Sequence, residues 1–325
     1  MRLVTSAQEA LSLTLGPVQV TVYDELNWLM RSRRMRRLLD LLAERPPSVV
    51  HAMSAGSYGV AEAVAVEYDA DLIYQITAVE DLDAVLASTH TGLRRVVCAS
   101  APLRERYLAA SGAAPEQVAL IRPGVVCAEG PTCFLDDERE PTVLSTADLL
   151  PGTGVDRLIE AVHLLHSRGY RFLTFLLGAG PEEHRLRLLV KERGLTSCVV
   201  FAQPEGATIR AMVGADVFIQ PGAEQALSAR TLQALGQGMA VIGVRGGVHD
   251  AYIADQTALV VEHSSAGTLA DAMARLLDDH ALARRLAEGA IAHMKAQHTM
   301  SAMVQQTVEV YRAMALHRAT FPINR

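Results

Sequence analysis

Residues 172–181 read Phe-Leu-Thr-Phe-Leu-Leu-Gly-Ala-Gly-Pro, an apolar run that ends in a glycine turn. A run of this length, bounded by turn residues, is typical of a strand that is buried on both faces of a parallel sheet. Similar short apolar runs occur before and after it, at residues 143–144, 199–201, 217–219 and 241–244.

Amphipathic segments separate these runs. Between residues 155 and 167, Leu158, Ile159, Val162 and Leu165 recur at the spacing that places them on one face of a helix. Strands that alternate with helices at this interval predict a doubly wound parallel sheet from about residue 141 onward.

The first 125 residues follow the same alternation. Strands are predicted near residues 18–22, 48–51, 71–74 and 95–98, and helices near 25–44, 59–67, 101–111 and from 115 onward. Glycine, proline and clustered charge mark residues 127–141 as a linker. We therefore expect an α/β protein with a domain at residues 1–126, a second domain at 142–298, and a helix and tail at 299–325 that cross back.

The composition excludes several function classes. Half of the residues are apolar, yet no apolar run reaches the ~20 residues that span a bilayer. The net charge of −6 argues against nucleic acid as a partner. The four cysteines form no CxxC pair, so no metal site is predicted. Residues 1–5 lack the features of a signal peptide, and we expect a cytoplasmic protein.

Four motifs in the second half occur in a fixed order. They are the glycine turn at 176–181, Gly-Ala-Asp-Val-Phe-Ile-Gln-Pro at 214–221, Ala-Leu-Gly-Gln-Gly-Met-Ala-Val-Ile at 234–242, and Gly-Gly-Val-His-Asp at 246–250. Together they resemble the donor-binding domain of the retaining GT-B glycosyltransferases. The resemblance implies two Rossmann-like domains facing a cleft, and a nucleotide-sugar donor linked to UDP, GDP or ADP.

The first half resembles the acceptor domain of the same family in part. His51 ends a predicted strand, and residues 97–100 and 121–125 resemble the end of that domain. The family's early Gly-Gly loop is not visible, so the acceptor domain is predicted to be shortened.

The resemblance places an arginine and a lysine after the first strand of the second domain, where they hold the donor's diphosphate. Here Asp148 and Thr153 stand at those positions. Removing one such cation typically costs ~10²–10³ in rate, and a carboxylate adds repulsion.

The family's two glutamates, which contact the sugar and the ribose, correspond to Gln225 and Gln233. Glutamine loses the charge-assisted acceptance that a carboxylate offers to a diol. A local bulge would let the adjacent Glu224 substitute for one of them. Thr77 occupies a histidine position of the first domain, which leaves His51 as the catalytic candidate or as a structural residue.

Other residues keep features of a donor cleft. The glycine turns would let a ligand approach the backbone closely, Asp250 keeps the sign of a family glutamate, and several cations could replace the lost positive charge or merely be solvated. These residues are Gly178, Gly180, Gly246, Gly247, Arg230, Arg245, Arg122 and His249.

Arginine also clusters on a predicted helix between Arg31 and Arg37, whose other face is apolar. This basic amphipathic pattern is found where peripheral enzymes meet anionic membranes, and equally on an ordinary packed helix with a solvated face.

Three functions remain open from the sequence. The first is a catalytically impaired glycosyltransferase that binds a nucleotide, a glycan or a partner glycosyltransferase in polysaccharide assembly. The second is an active, divergent retaining glycosyltransferase that moves a hexose to a glycan or lipid-linked acceptor. The third is an adaptor at the inner membrane surface.

Overall fold

The structure is a computed structural model that describes residues 2–5, 19–22, 31–88, 94–136, 138–202 and 214–320. Side chains are described from residue 32 to residue 316 within those ranges. The predicted helix at 25–44 and the predicted strand at 18–22 therefore lie partly outside the described residues.

The first domain combines a two-stranded and a four-stranded parallel sheet. Its elements in chain order are β1 (Arg2–Thr5), β2 (Gln19–Val22), α1 (Arg31–Ala43), β3 (Val49–Ala52), α2 (Ala55–Tyr68), β4 (Asp71–Ile76), α3 (Val79–Leu86), β5 (Arg94–Cys98), α4 (Ala101–Ser111) and β6 (Val118–Leu120).

The second domain contains a six-stranded parallel sheet, and a long final helix follows it. The elements are β7 (Thr142–Ser145), α5 (Val155–Ser167), β8 (Leu173–Leu177), α6 (Glu183–Glu192), β9 (Val199–Ala202), β10 (Val217–Ile219), α7 (Ala229–Gly236), β11 (Ala240–Val244), β12 (Leu259–Val261), α8 (Ala266–Asp278), α9 (His280–Gln297) and α10 (Met300–Thr320).

The strand order of the second sheet is β12-β11-β10-β7-β8-β9. Chain order therefore reverses between β7 and β10, which is the doubly wound Rossmann arrangement. The four-stranded sheet runs β3-β4-β5-β6, with all its pairs parallel. The prediction of two parallel-sheet α/β domains in a GT-B fold is confirmed.

Both faces of the second sheet are buried. Val217 and Ile219 pack into one core cluster, and Phe218 between them packs into another. This alternation follows from the two-residue period of a strand and explains why the strands are apolar at successive positions. The predicted apolar face of α5 is confirmed, since Leu158, Ile159, Val162 and Leu165 are all buried.

The final helix, α10, lies on the first domain. Met314 and Tyr311 pack against Ile73 and Val97 of its four-stranded sheet. The opposite face of that sheet carries Tyr74, Ile76 and the core of the first domain.

The structure differs from the sequence predictions at several elements, among them β1 and α3, which were not predicted. The helix predicted from Pro115 is a single 3-10 turn at Pro115–Gln117, and β6 follows at once. Strand β12 was not predicted, because an apolar run of three residues is too short to distinguish the period of a strand from that of a helix.

Candidate functional site

The candidate site lies where the strand order of the second sheet reverses. In open α/β sheets, ligands bind in the crevice beyond the carboxyl ends of the two strands that flank this reversal. Here those strands are β7 and β10, so residues 146–154 and 220–228 form the walls of the crevice.

Gly178 and Gly180 bring the backbone after β8 against the backbone after β7. A β-carbon on Gly178 would lie 2.2 Å from the carbonyl oxygen of Ala147, and one on Gly180 would lie 2.2 Å from that of Leu149. The prediction explained these glycines by close approach of a ligand. The structure supplies a neighbouring loop of the protein itself as the reason for their small size.

The two walls of the crevice also touch through glycines. A β-carbon on Gly154, which has φ +87°, would lie 2.5 Å from the carbonyl oxygen of Pro221. A β-carbon on Gly222 would lie 2.5 Å from the carbonyl oxygen of Thr153. These contacts hold the loop after β7 and the loop after β10 in a fixed relation at the base of the crevice.

The two positions where cations were expected supply no positive charge for a diphosphate. Asp148 is exposed. The Thr153 hydroxyl donates to the carbonyl oxygen of Leu150 at 2.9 Å, which closes the turn before α5. Thr153 is therefore engaged within its own loop.

Arg230 is the cation that the structure places best for an anion in the crevice. It is half-buried near the start of α7, and its Nη1 donates to the carbonyl oxygen of Thr146 at 3.4 Å. Within the described ranges no carboxylate pairs with it. The Thr146 hydroxyl is buried and meets no hydrogen-bond partner among those residues.

Arg245 and Arg122, by contrast, are neutralised by carboxylates. Arg245 Nε donates to both oxygens of Glu262 at 2.8 Å. Arg122 binds Asp250, with Nη2 2.8 Å from the carboxylate. Neither supplies the relocated positive charge that the sequence suggested.

Asp250 serves as a link between the domains. Besides Arg122, its Oδ2 accepts the backbone N–H of Ala101 at 3.0 Å, at the start of α4 in the first domain. A carboxylate at a helix N-terminus is favoured by the free N–H groups and by the helix dipole. This contact gives the negative charge of Asp250 a structural role.

The Gly246-Gly247 turn precedes Asp250. Gly246 has φ +91° with open space around it, a conformation that favours glycine. A β-carbon on Gly247 would lie 2.9 Å from the backbone nitrogen of Glu224. The turn is thus held against the loop after β10.

Gln225 and Gln233 remain candidate donor contacts. Gln225 is exposed, and Gln233 is half-buried on α7. Glu224, in contrast, is buried and accepts from the hydroxyls of Thr231 at 3.0 Å and Tyr252 at 2.9 Å. These bonds commit the Glu224 carboxylate to the interior of the second domain, so it does not replace Gln225.

His249 extends the same buried network. Its Nε2 lies 3.1 Å from the Glu224 carboxylate and accepts the N–H of Ser228 at 3.3 Å. Burial, reinforced by the Glu224 charge, raises the pKa of Tyr252 well above its usual value. The Tyr252 hydroxyl therefore stays protonated and keeps donating to Glu224.

Thr77 lies at the carboxyl end of β4 and is bound by Asp81. The Asp81 Oδ2 accepts both the backbone N–H and the hydroxyl of Thr77 at 2.8 Å. Thr77 therefore shapes the edge of the first domain that faces the second.

His51 points toward α10. Its Nδ1 lies 2.8 Å from the Tyr311 hydroxyl, and the two rings meet edge to face. Burial lowers the pKa of His51 to about 4, so the ring is neutral at pH 7. These contacts give His51 a role in seating α10, and a catalytic role for it stays a prediction.

The low pKa of His51 predicts acid sensitivity. Because the unfolded histidine titrates near 6.5 and the folded one near 4, the unfolded chain binds an extra proton between these values. Stability should therefore fall as the pH drops from 7.5 to 5, by about 2 kcal/mol from this group. The His51→Gln variant should lose this contribution. Its free energy of unfolding, measured in urea, should therefore differ less between pH 7.5 and pH 5 than that of the wild type.

The matched control for this measurement is His263→Gln, because His263 is exposed. Identical pH slopes for wild type and His51→Gln would contradict the prediction.

The cysteines and potential metal ligands give no further site in the described part of the chain. Burial raises the pKa of the Cys98 thiol to about 12 and that of Cys133 to about 11, which keeps both thiols protonated and unreactive. No group of His, Cys, Asp and Glu side chains within those residues could hold a metal ion.

Helix α1 carries the arginine cluster. Arg33, Arg36 and Arg37 are exposed, while Leu38 and Leu42 are buried against α2. The side chain of Arg31 lies outside the described residues. Across the described helices, none is both long enough and apolar enough to cross a membrane. Contact with a membrane surface stays a prediction.

Sequence reasoning missed three residues that shape the site. Thr146 carries the unpartnered hydroxyl, Asp81 fixes Thr77, and Arg157 donates to the carbonyl oxygen of Ser264 at 3.2 Å beside the crevice. A polar residue directly after a strand was the available signal for Thr146. Asp81 and Arg157 lie in segments with an ordinary helical pattern, and that pattern gave no signal of a role in the site.

Comparison with known proteins supports this geometry. A family model described as glycosyl transferases group 1 matches residues 134–293. The chain is 29% identical over 149 residues to the lipopolysaccharide core biosynthesis glycosyltransferase LpsE of Rhizobium meliloti, covering 46% of this chain and 43% of LpsE. It is 33% identical over 151 residues to a GDP-mannose-dependent alpha-(1-6)-phosphatidylinositol monomannoside mannosyltransferase of Mycobacterium tuberculosis, covering 43% and 39%. The chain thus spans less than half the length of these relatives.

Solved structures share the fold over nearly the whole chain. A glycosyltransferase from Rickettsia africae superposes with a TM-score of 0.79 at 15% identity, covering 97% of this chain and 90% of that one. Anabaena HepE, solved with UDP and glucose, superposes with a TM-score of 0.76 at 15% identity, covering 91% and 86%. At this identity the likeness concerns the fold.

Proposed function

We propose, from the premise that this chain belongs to the group 1 glycosyltransferase family through residues 134–293, that it binds a nucleoside diphosphate or nucleotide sugar between β7 and β10. The related enzymes act in lipopolysaccharide and other glycan biosynthesis. The natural ligands are then a nucleotide sugar or a glycan of such a pathway.

The observation that carries the proposal is the pairing of Arg230 with Thr146. The Arg230 guanidinium, which pairs with no carboxylate among the described residues, donates to the carbonyl oxygen of Thr146, and the hydroxyl of Thr146 is buried without a partner in that part of the chain. A diphosphate would satisfy both, because guanidinium groups bind phosphate oxygens with charge-assisted hydrogen bonds. HepE, with the same fold, was solved with UDP, which agrees with this choice of ligand.

Sugar transfer is proposed to be impaired. Asp148 and Thr153 provide no cation for the leaving diphosphate, and Gln225 and Gln233 provide no carboxylate for sugar or ribose hydroxyls. The family neutralises the charge of the leaving diphosphate with two cations, and a single guanidinium cannot replace both. The protein would then act by binding a nucleotide, a glycan or a partner glycosyltransferase.

The alternative is an active retaining enzyme that relies on Arg230 alone. It is favoured by the intact backbone of the crevice, where the glycine contacts of Gly154 and Gly222 keep the loops in register. Turnover with UDP-, GDP- and ADP-sugars separates the two proposals, since an impaired protein binds without releasing the diphosphate.

Arg230→Ala tests the binding proposal. A hydrogen bond to a charged group contributes about 1.5–3 kcal/mol, so the affinity for the preferred nucleoside diphosphate should fall about 10- to 100-fold. Titration calorimetry with UDP, GDP and ADP identifies that nucleotide and measures the loss.

Arg245→Ala is the matched control, because Arg245 follows β11 and is already paired with Glu262. Its affinity should stay within about two-fold of wild type. Equal losses in both variants, or no measurable binding of any nucleotide by wild type, would contradict the proposal.

A further inference from the structure

The first turn of α7 carries Arg230, and this helix is short. It runs over 8 residues, from Ala229 to Gly236. Isolated helices of fewer than ~12 residues are marginal in water, so contacts with the rest of the domain have to hold this turn in place. Arg230 contributes little to this itself, because its bond to the Thr146 carbonyl oxygen is 3.4 Å long. The position of its guanidinium therefore depends on its neighbours in the helix.

Two bonds to buried groups fix the residues that flank Arg230. Ser228, which caps α7, donates its backbone N–H to Nε2 of His249 at 3.3 Å. Thr231 donates its hydroxyl to the Glu224 carboxylate at 3.0 Å. The cap also binds the turn directly, since the Ser228 hydroxyl accepts the Thr231 N–H at 3.2 Å. Arg230 thus lies between two residues that Glu224 and His249 hold.

Glu224 and His249 are fixed in turn by their own contacts. Their side chains are 5% and 1% exposed, and the Glu224 carboxylate lies 3.1 Å from His249 Nε2. This carboxylate accepts from the Tyr252 hydroxyl at 2.9 Å, and the Glu224 carbonyl oxygen accepts the Val248 N–H at 2.9 Å. A carboxylate is stable in the interior only where such donors surround it. The side chains of Glu224, Thr231, His249 and Tyr252 form a buried cluster at the start of α7.

The buried cluster acts on the crevice only through α7, because Glu224, Thr231 and His249 are buried. Its carboxylate also has the wrong sign of charge to bind a diphosphate. Hydrogen bonds are directional, and a buried hydrogen-bond network specifies one arrangement where apolar contacts tolerate several. The bonds to Ser228 and Thr231 therefore set the rotation of the first turn, and with it the direction in which Arg230 leaves the helix.

We propose that Glu224 and His249 are positioning residues for Arg230. By holding Ser228 and Thr231, they aim its guanidinium at the crevice between β7 and β10. Their role rests on the proposed function, since it concerns how the anion-binding group of that site is held. The affinity for a nucleotide then depends on side chains that never touch the nucleotide.

Thr231→Val removes the bond to Glu224 and keeps the shape of the side chain. The affinity for whichever of UDP, GDP and ADP binds best should fall about three- to ten-fold in titration calorimetry. Thr231→Ser keeps the hydroxyl and should restore the affinity to within about two-fold of wild type. His249→Phe keeps a ring but removes the bond to Ser228, and it should weaken binding by a similar factor.

Combination with Arg230→Ala separates positioning from a general loss of packing. If Thr231 acts through Arg230, Thr231→Val should change the affinity by less than about two-fold once residue 230 is alanine. A general loss of packing would instead weaken binding by the same factor in both backgrounds. Equal losses in the two backgrounds would overturn the positioning role.

Thr268→Val is the matched control for Thr231→Val. Thr268 is likewise the third residue of a helix that a serine caps, since the Ser265 hydroxyl accepts its N–H at 3.1 Å. Its own hydroxyl donates to the His263 carbonyl oxygen at 2.8 Å. The substitution should lower the free energy of unfolding in urea, while the nucleotide affinity stays within about two-fold of wild type. A loss of affinity as large as that of Thr231→Val would contradict the proposal.

Hydrogen exchange follows the first turn of α7 without any nucleotide. The Leu232 N–H donates to the Ser228 carbonyl oxygen at 3.2 Å. This amide should exchange about three- to ten-fold faster in Thr231→Val than in wild type, and within about two-fold of wild type in Thr231→Ser. An unchanged Leu232 amide in Thr231→Val would overturn the positioning role. A faster amide together with no nucleotide binding by wild type would overturn the proposed function instead, with the positioning of α7 upheld.

Discussion

Replacing Gly178 by alanine is expected to destabilise the second domain by about 3 kcal/mol and to weaken nucleotide binding with it. The new methyl group would lie 2.2 Å from the Ala147 carbonyl oxygen and 3.3 Å from the Leu149 side chain. A carbonyl on a neighbouring strand end cannot rotate away as a flexible side chain can. The loop after β7 would have to move outward.

That movement would break a bond that closes the crevice. The Leu149 N–H donates to the Ala179 carbonyl at 3.0 Å, directly beside Gly178. The Thr146 carbonyl that receives Arg230 lies on the same loop. Loss of stability and loss of affinity should therefore appear together, in urea unfolding and in titration with the preferred nucleotide.

Gly56→Ala provides the control for Gly178→Ala. Gly56 lies in α2, and a β-carbon there would meet nothing within 4 Å. Alanine should be neutral or stabilising by about 0.5 kcal/mol at this helical position. A Gly178→Ala protein as stable as wild type would show that the two loops adjust freely.

Asp216→Ala is expected to cost about 3–4 kcal/mol in the free energy of unfolding. Asp216 is 1% exposed, and its carboxylate accepts from the N–H groups of Phe134 at 2.7 Å and Thr142 at 2.8 Å. Arg139 adds bonds to both oxygens, the shorter at 2.6 Å. Alanine would leave these donors, two of them backbone groups, without a partner.

The contacts that Asp216→Ala removes lie where the two domains join. Phe134 and Arg139 belong to the segment predicted as a linker, and Asp216 fixes that segment to the start of β7 and β10. Urea unfolding measures the effect, with Asp271→Ala as the control, because the Asp271 side chain is 72% exposed and pairs with the exposed Arg168. A change below about 1 kcal/mol for Asp216→Ala would contradict the prediction.

The fold was largely predictable because its signals are local. Short apolar runs gave β8 and β10, and the spacing of Leu158, Ile159, Val162 and Leu165 gave α5 with its buried face. The failures included the single turn from Pro115 and the short elements β1, α3 and β12, where the local signal was short or ambiguous.

The candidate site was predictable only in part. The sequence indicated which loops would surround it and that Asp148 and Thr153 could not supply cations. It did not distinguish the roles of the arginines. Arg245 and Arg230 look alike along the chain, but Arg245 pairs with Glu262 whereas Arg230 faces Thr146.

By itself, the sequence of this protein determined the parallel sheets and the glycine turns, because each depends on neighbours within a few positions. The tertiary structure alone decided that Gly178 and Gly180 face the loop after β7, that Asp250 binds Arg122, and that Thr77 pairs with Leu227. Those contacts join residues far apart in the chain, and strand and helix periods carry no information about which distant groups will meet.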